Sequence, residues 1–199
     1  YGSRLIAEDR HQSANLLYFA RPITPLRYIL GKFGTAAAIG LLTLLVPALL
    51  ICGQAALSSP DWAFLKESPG VILAVLWYGL LWMLVMSSLV LTISSFFKGR
   101  NMALVCSFVL MFLLHGIALP VAEATGNHKF ALLSVLQNLQ EISRWAFYEG
   151  SILTNFAEQQ AGMSHFDNPI GLHFAALGIM ILLSWILLYR NVKRMEVIA

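Results

Sequence analysis

Residues 68–97, SPGVILAVLWYGLLWMLVMSSLVLTISSFF, run for 30 positions without an Asp, Glu, Lys or Arg. At about 1.5 Å of rise per residue, a helix of this length exceeds the roughly 30 Å hydrocarbon core of a bilayer. Three more stretches have the same character: Phe33–Pro60, Asn101–Ala122 and Asn168–Tyr189, of 28, 22 and 22 residues. Only 12% of the chain is charged, about half the fraction usual in a soluble domain, and that charge lies outside these runs. In lipid the backbone must satisfy its own hydrogen bonds, so a span is a helix or part of a closed barrel. Strand-like alternation is absent. The expected fold is all-α, a polytopic membrane helix bundle with spans at 33–56, 71–97, 101–121 and 169–189.

Orientation follows from Lys and Arg. Arg4, Arg10, Arg21, Arg27 and Lys32 precede the first span, Lys98 and Arg100 join the second to the third, and Arg190, Lys193 and Arg194 follow the fourth. Only Lys66, Lys129 and Arg144 occupy the other two connections. The positive-inside rule therefore predicts a multi-pass membrane protein with both ends of this chain in the cytoplasm. The net charge of +3 reads as topogenic and not as a nucleic-acid patch. Cys52 and Cys106 fall at or within spans, where reduced structural thiols are expected. The chain starts at Tyr1 with charged residues and no cleavable leader pattern, and further residues are expected upstream.

Residues 8–20 read as a short helix with an acidic first turn, which suits the helix dipole. Pro22 ends it, and Thr24–Pro25 restarts a helix with a capping hydroxyl and a proline at the first helical position. Tyr28 and Lys32 fit the membrane interface as an aromatic ring and a snorkelling ammonium. The first span carries Gly31, Gly34, Thr35, Ala36, Ala38 and Gly40 at close-packing spacing, and Pro47 is expected to kink its outer half. Ser88, Thr92 and Ser95 form one polar stripe. They either bond back to their own helix or face a partner helix or a transport path. Between Glu123 and Asp167, Leu132, Val135, Leu136, Leu139, Ile142 and Ala146 recur at helical spacing opposite Gln137, Gln140, Glu141 and Arg144. This predicts an outer amphipathic helix packed on the span ends within an extracytoplasmic helical segment, 123–168. No repeat or flexible linker interrupts the chain, so 1–199 reads as a single transmembrane domain.

Few residues could carry chemistry. There is no HExxH, no CxxC and no pair of carboxylates within a span. His115 is the imidazole deepest in a span, on a face with Ser107 and Met111 and near Met102 and Cys106, a soft donor set of the kind that holds copper. The alternative is that Met and Cys fill space while His115 bonds a neighbouring helix. No phosphate-binding glycine loop with a GK[ST] ending is present, so this chain is not expected to hydrolyse ATP, and no cofactor is expected in it.

In AEDRHQSANLLYFARPITPLRYILGKF (7–33), Glu8–Asp9, Leu17–Pro22, Thr24–Pro25 and Tyr28–Lys32 follow one another in an order and spacing that resembles the ABC-2 type transporter permeases of bacteria. The likeness extends over the chain as span, outer loop, span, short basic turn, span, outer helical segment, span and basic tail. Such permeases usually have six spans, and the missing two would precede Tyr1. The resemblance implies a permease subunit that pairs with a second permease as a homodimer or heterodimer and with an ABC ATPase (nucleotide-binding) subunit, which binds ATP and Mg. It implies export across the membrane. The helix at 8–20 would be the coupling helix seated in the ATPase, with Glu8, Asp9, Arg10, Leu16, Leu17, Tyr18, Arg21 and Pro22 as coupling residues. Thr24, Pro25 and Lys32 would form the elbow to the first span. Ser88, Thr92, Ser95 and His115 are the candidate transport-path residues. A lipid, an amphiphilic compound or a polymer suits these spans better than a small ion. Two other readings compete: a membrane-bound copper-handling or maturation protein around His115, Met111 and Cys106, and a non-transporting scaffold whose outer helix recruits a partner.

Overall fold

The computed structural model describes residues 5–11, 24–59, 64, 69–97, 99–148 and 168–198. Among these no strand occurs. The helices are α1 (Leu5–His11), α2 (Pro25–Ser58), α3 (Pro69–Phe96), α4 (Arg100–Thr125), a 3-10 turn at His128–Leu133, α5 (Val135–Tyr148) and α6 (Ile170–Ile198). Four helices are long and apolar enough to cross a membrane: Pro25–Ser58, Gly70–Phe96, Asn101–Thr125 and Ile170–Arg194. Between 11 and 17% of the most apolar stretch of each is buried inside the protein. Most of these apolar side chains therefore face outward, as helices solvated by lipid tails should. The all-α bundle expected from the charge-free runs is what the chain forms.

The helices outrun the charge-free stretches that announced them. α2 begins eight residues before position 33, because Pro25 is well placed at a first helical position and Arg27 and Lys32 are compatible with a helix whose end leaves the hydrocarbon. α6 likewise runs through Arg190, Lys193 and Arg194. Pro47 and Pro120 lie inside continuous helices. α4 stops five residues beyond Pro120, where Gly126 adopts φ +63°, the left-handed cap that a residue without Cβ accepts at least cost. Asn127 then accepts from the Lys129 amide at 3.2 Å and starts the 3-10 turn.

The chain divides into two compact units, one comprising residues 1–40, 83–113 and 177–199, the other 41–82 and 114–176. The first has a core of Ile6, Tyr28, Ile29, Ala36, Leu91, Leu188 and Val192, with Leu5, Phe33 and Trp185 packed against it. Of the small residues in the first span, Gly40 approaches Met83, a Cβ built on it standing 3.6 Å from Met83 Cγ, whereas Gly31 and Gly34 face open space. In the second unit Gly79 is the closest approach, for a Cβ there would lie 2.8 Å from Leu45 Cδ1. Cys52 and Cys106 are free thiols.

The polar side of α5 is not a solvated face. Val135, Leu139 and Ile142 are buried as expected, but so are Gln137, Asn138 and Glu141. Burial is possible because each polar group has a partner. Gln137 Nε2 donates to Glu141 Oε1 at 2.8 Å, and Arg144 donates to the same oxygen at 3.0 Å. The spacings are i, i+4 and i, i+3, at which helical side chains meet.

Candidate functional site

α1 is only seven residues long and would be marginal alone, so its packing has to hold it. Ile6 and Ala7 are fully buried. Their amides are among the first of the helix and have no acceptor within it. Both donate to Ser94 Oγ of α3, at 3.3 and 3.1 Å. A serine 87 residues away in sequence thus performs the capping that a local Ser or Thr usually provides. One turn further on, Asp9 Oδ2 accepts from Tyr28 Oη at 2.7 Å and pairs with Lys32 Nζ at 2.7 Å. Tyr28 and Lys32 stand four residues apart on one face of α2, and the ammonium lies 5.7 Å from the ring centroid of Tyr28. The carboxylate is thereby held by two charge-assisted contacts, which are roughly twice as strong as neutral ones. α1 is fastened to α3 by its amide end and to α2 by its acid.

To the interfacial role expected of Tyr28 and Lys32 this arrangement adds contacts with α1. Tyr28 is buried and spends its hydroxyl on Asp9, and Lys32 reaches the same carboxylate. Asp9, expected among the outward coupling contacts, is engaged within the chain. Glu8 is half-buried on α1, and Arg10 is a residue of the same helix. Thr24 is exposed, its carbonyl accepts from the Tyr28 amide at 3.2 Å, and Pro25 opens α2. Leu16, Leu17, Tyr18, Arg21 and Pro22 lie outside the described residues.

The stripe on α3 faces α6. Ser88, Thr92 and Ser95 are buried and bond to carbonyls of their own helix at 2.7, 2.8 and 2.7 Å. Each also has a partner on α6. Trp185 Nε1 donates to Ser88 Oγ at 3.1 Å, Thr92 Oγ1 shares its one hydrogen between the Ser88 carbonyl and Ser184 O at 3.0 Å, and Asn191 Nδ2 donates to Ser95 Oγ at 3.0 Å. Of the readings open to the stripe, back-bonding and a partner helix are both realised. Trp185 also packs on Phe33 of α2, with ring centroids 5.3 Å apart.

His115, in the second unit, is half-buried, and its Nδ1 exchanges a hydrogen bond with Ser134 Oγ at 2.8 Å. That hydroxyl also accepts from the Gln137 amide at 3.1 Å, so His115 orients the residue that caps α5. Ser107 bonds back to Ala103 O at 2.7 Å. Among the described residues no three of His, Cys, Asp or Glu come together in a metal-binding group. The second unit instead holds a polar pair that sequence reasoning missed. Asn138 Nδ2 donates to Leu132 O at 2.7 Å, which turns its Oδ1 toward His173 Nδ1 at 2.8 Å. The imidazole therefore donates from Nδ1, and in the neutral ring Nε2 keeps a lone pair. His173 is 1% exposed, and that Nε2 is buried without a partner among the described residues. The available signal was a histidine near the start of a span, a position where polar side chains are functional suspects.

The chain is matched over residues 1–191 by the family model described as ABC-2 family transporter protein. No curated protein and no solved structure matches it. That match covers almost the whole chain and agrees with the four helices long and apolar enough to cross a membrane: the chain is a multi-pass membrane protein that belongs to the ABC-2 transporter family.

Proposed function

We propose that the chain is the membrane-spanning subunit of an ATP-driven exporter in the cytoplasmic membrane. A separate ABC ATPase subunit binds ATP and Mg, and the segment following α1 docks on it. The observation that carries this reading is the double attachment of α1. Pulling or tilting the 8–22 region acts on α2 through Asp9–Lys32 and Asp9–Tyr28 and on α3 through Ser94, so a displacement made outside the membrane is handed to two spans together. Coupling of this kind needs packed, discrete contacts along its route, and both attachments are short and largely shielded from water. The excess of Lys and Arg beside α1 and at the end of α6 supports a cytoplasmic position for this end of the bundle. A second permease subunit would complete the assembly.

The test is co-expression of the full-length permease with the ATPase of its host, purification by a tag on the permease, and an ATP hydrolysis assay. Leu16→Asp with Leu17→Asp is expected to release the ATPase. Asp9→Ala is expected to retain it but to lose most of the stimulation that the permease gives to hydrolysis. If no ATPase is ever retained by the unmodified chain, the exporter reading is wrong. If Asp9→Ala leaves stimulation intact, the double attachment is structural only.

A further inference from the structure

Three aromatic rings of the second unit close on one another. Trp77 of α3, Trp145 of α5 and Phe174 of α6 have centroids 6.3, 5.8 and 6.0 Å apart, all steeply inclined. They wall a cavity of about 680 Å³ whose other lining includes Gly70, Ala74 and Ala146. Small side chains at those three positions keep the space open, and a Cβ built on Gly70 would meet nothing within 4 Å. The volume falls in the range of ligand pockets, about 300–1,000 Å³.

The chemistry of the lining selects its occupant. Among the described residues no ionisable side chain lines the cavity, so none of them offsets the charge of a cation or gives a small ion a counter-charge. Trp77 and Trp145 are 39% and 41% exposed, and neither indole N–H has an acceptor among the described residues. An indole N–H is a donor only. Gly70 adds the first-turn amides of α3, which also lack an acceptor in the helix. The polar groups on offer are thus donors around an apolar body. Gly70 begins one span and Phe174 is in the second turn of another, which puts the cavity where a hydrocarbon chain meets its polar head and where Trp is commonly found.

We propose that this cavity binds the acyl chain of an ester-bearing membrane amphiphile, whose ester or phosphate oxygens accept from the indoles of Trp77 and Trp145. The site is independent of ATPase coupling and needs no second subunit. It is tested on the full chain in detergent micelles, titrated with a phosphatidylcholine carrying a dibrominated acyl chain, because bromine quenches tryptophan on contact. Saturable quenching is expected at low lipid mole fraction. Ala146→Leu intrudes on the cavity between the rings and is expected to raise the half-saturation point at least tenfold, and Ala74→Leu is a second filling variant should the first lose its helical circular dichroism. Trp145→Phe, which keeps a ring but removes a donor, is expected to raise it about threefold to tenfold, the worth of one hydrogen bond. A dibromoalkane of equal chain length, lacking acceptor oxygens, is expected to saturate about tenfold later than the phospholipid. Quenching that rises linearly with mole fraction and ignores both filling variants means bulk lipid contact only and overturns the site. Equal half-saturation by the alkane and the phospholipid overturns the assignment to an ester-bearing ligand.

Discussion

The two compact units use polar groups in different ways. In the first, hydroxyls do most of the joining. Ser88, Thr92 and Ser95 each bond back to α3 before they touch α6, so none is left bare if the helices separate. In the second, an amide and an imidazole join α5 to α6 without such a fallback, while the bonds of Glu141 to Gln137 and Arg144 lie within α5. Asn138 holds Leu132 O with one end and His173 with the other. A hydroxyl stripe tolerates loss of its partner. The amide–imidazole pair does not, since truncating either member strands a buried donor or acceptor.

The largest effect is therefore expected at Asn138. Asn138→Leu strands the Leu132 carbonyl and the His173 Nδ1–H together and should cost about 3 kcal/mol. In a protein of this size that is a fall of roughly 6–12 °C in the midpoint of thermal unfolding in detergent. A fall no greater than that of a Ser88→Ala control would show that the pair is as tolerant as the stripe. Next comes Asp9→Ala, at about 1–2 kcal/mol, because Tyr28 loses its acceptor while Lys32 can still snorkel to water. Asp9→Asn, which can still accept from Tyr28, should cost less than Asp9→Ala in the same unfolding assay. Thr92→Val removes the bond to Ser184 at the cost usual for interhelical hydrogen bonds in membranes, about 0.6 kcal/mol. Combining it with Ser88→Ala would sharpen the comparison: near-additive losses fit independent rungs, and strong coupling would make the seam one network. Gly79→Ala should be smallest, below about 0.5 kcal/mol, because the atom in its way is the terminal methyl of Leu45, which can rotate aside, and alanine is the better helix former.

The same contrast explains what could be read from residues alone. Spans are written in consecutive positions, and the stripe at 88, 92 and 95 is written in a helical period, so both were legible before any coordinates. The capping of α1 was not. Ser94 sits beside the stripe but off its face, and its partners lie 88 and 87 residues away. Asn138 and His173 are separated by 35 residues, and no periodicity links them. The amphipathic reading of α5 found the helix and its apolar side. It misjudged the polar side, because a charge is taken to face water until a partner is seen, and here Gln137 and Arg144 are that partner for Glu141. The ion pair of Lys32 was hidden for the same reason, its counter-charge lying on another helix.

The long reach from Ser94 back to Ile6 also has a consequence in time. At a synthesis rate of about 5–20 residues per second, roughly 4–18 s separate the appearance of α1 from that of the serine that caps it. Leu188 and Val192, which complete the core around Ile6, follow about a hundred residues later still. During that interval the stretch that becomes α1 lacks the packing that holds it as a helix, and its apolar side is unshielded. α1 is thus among the first of the described elements to be made and among the last to be secured.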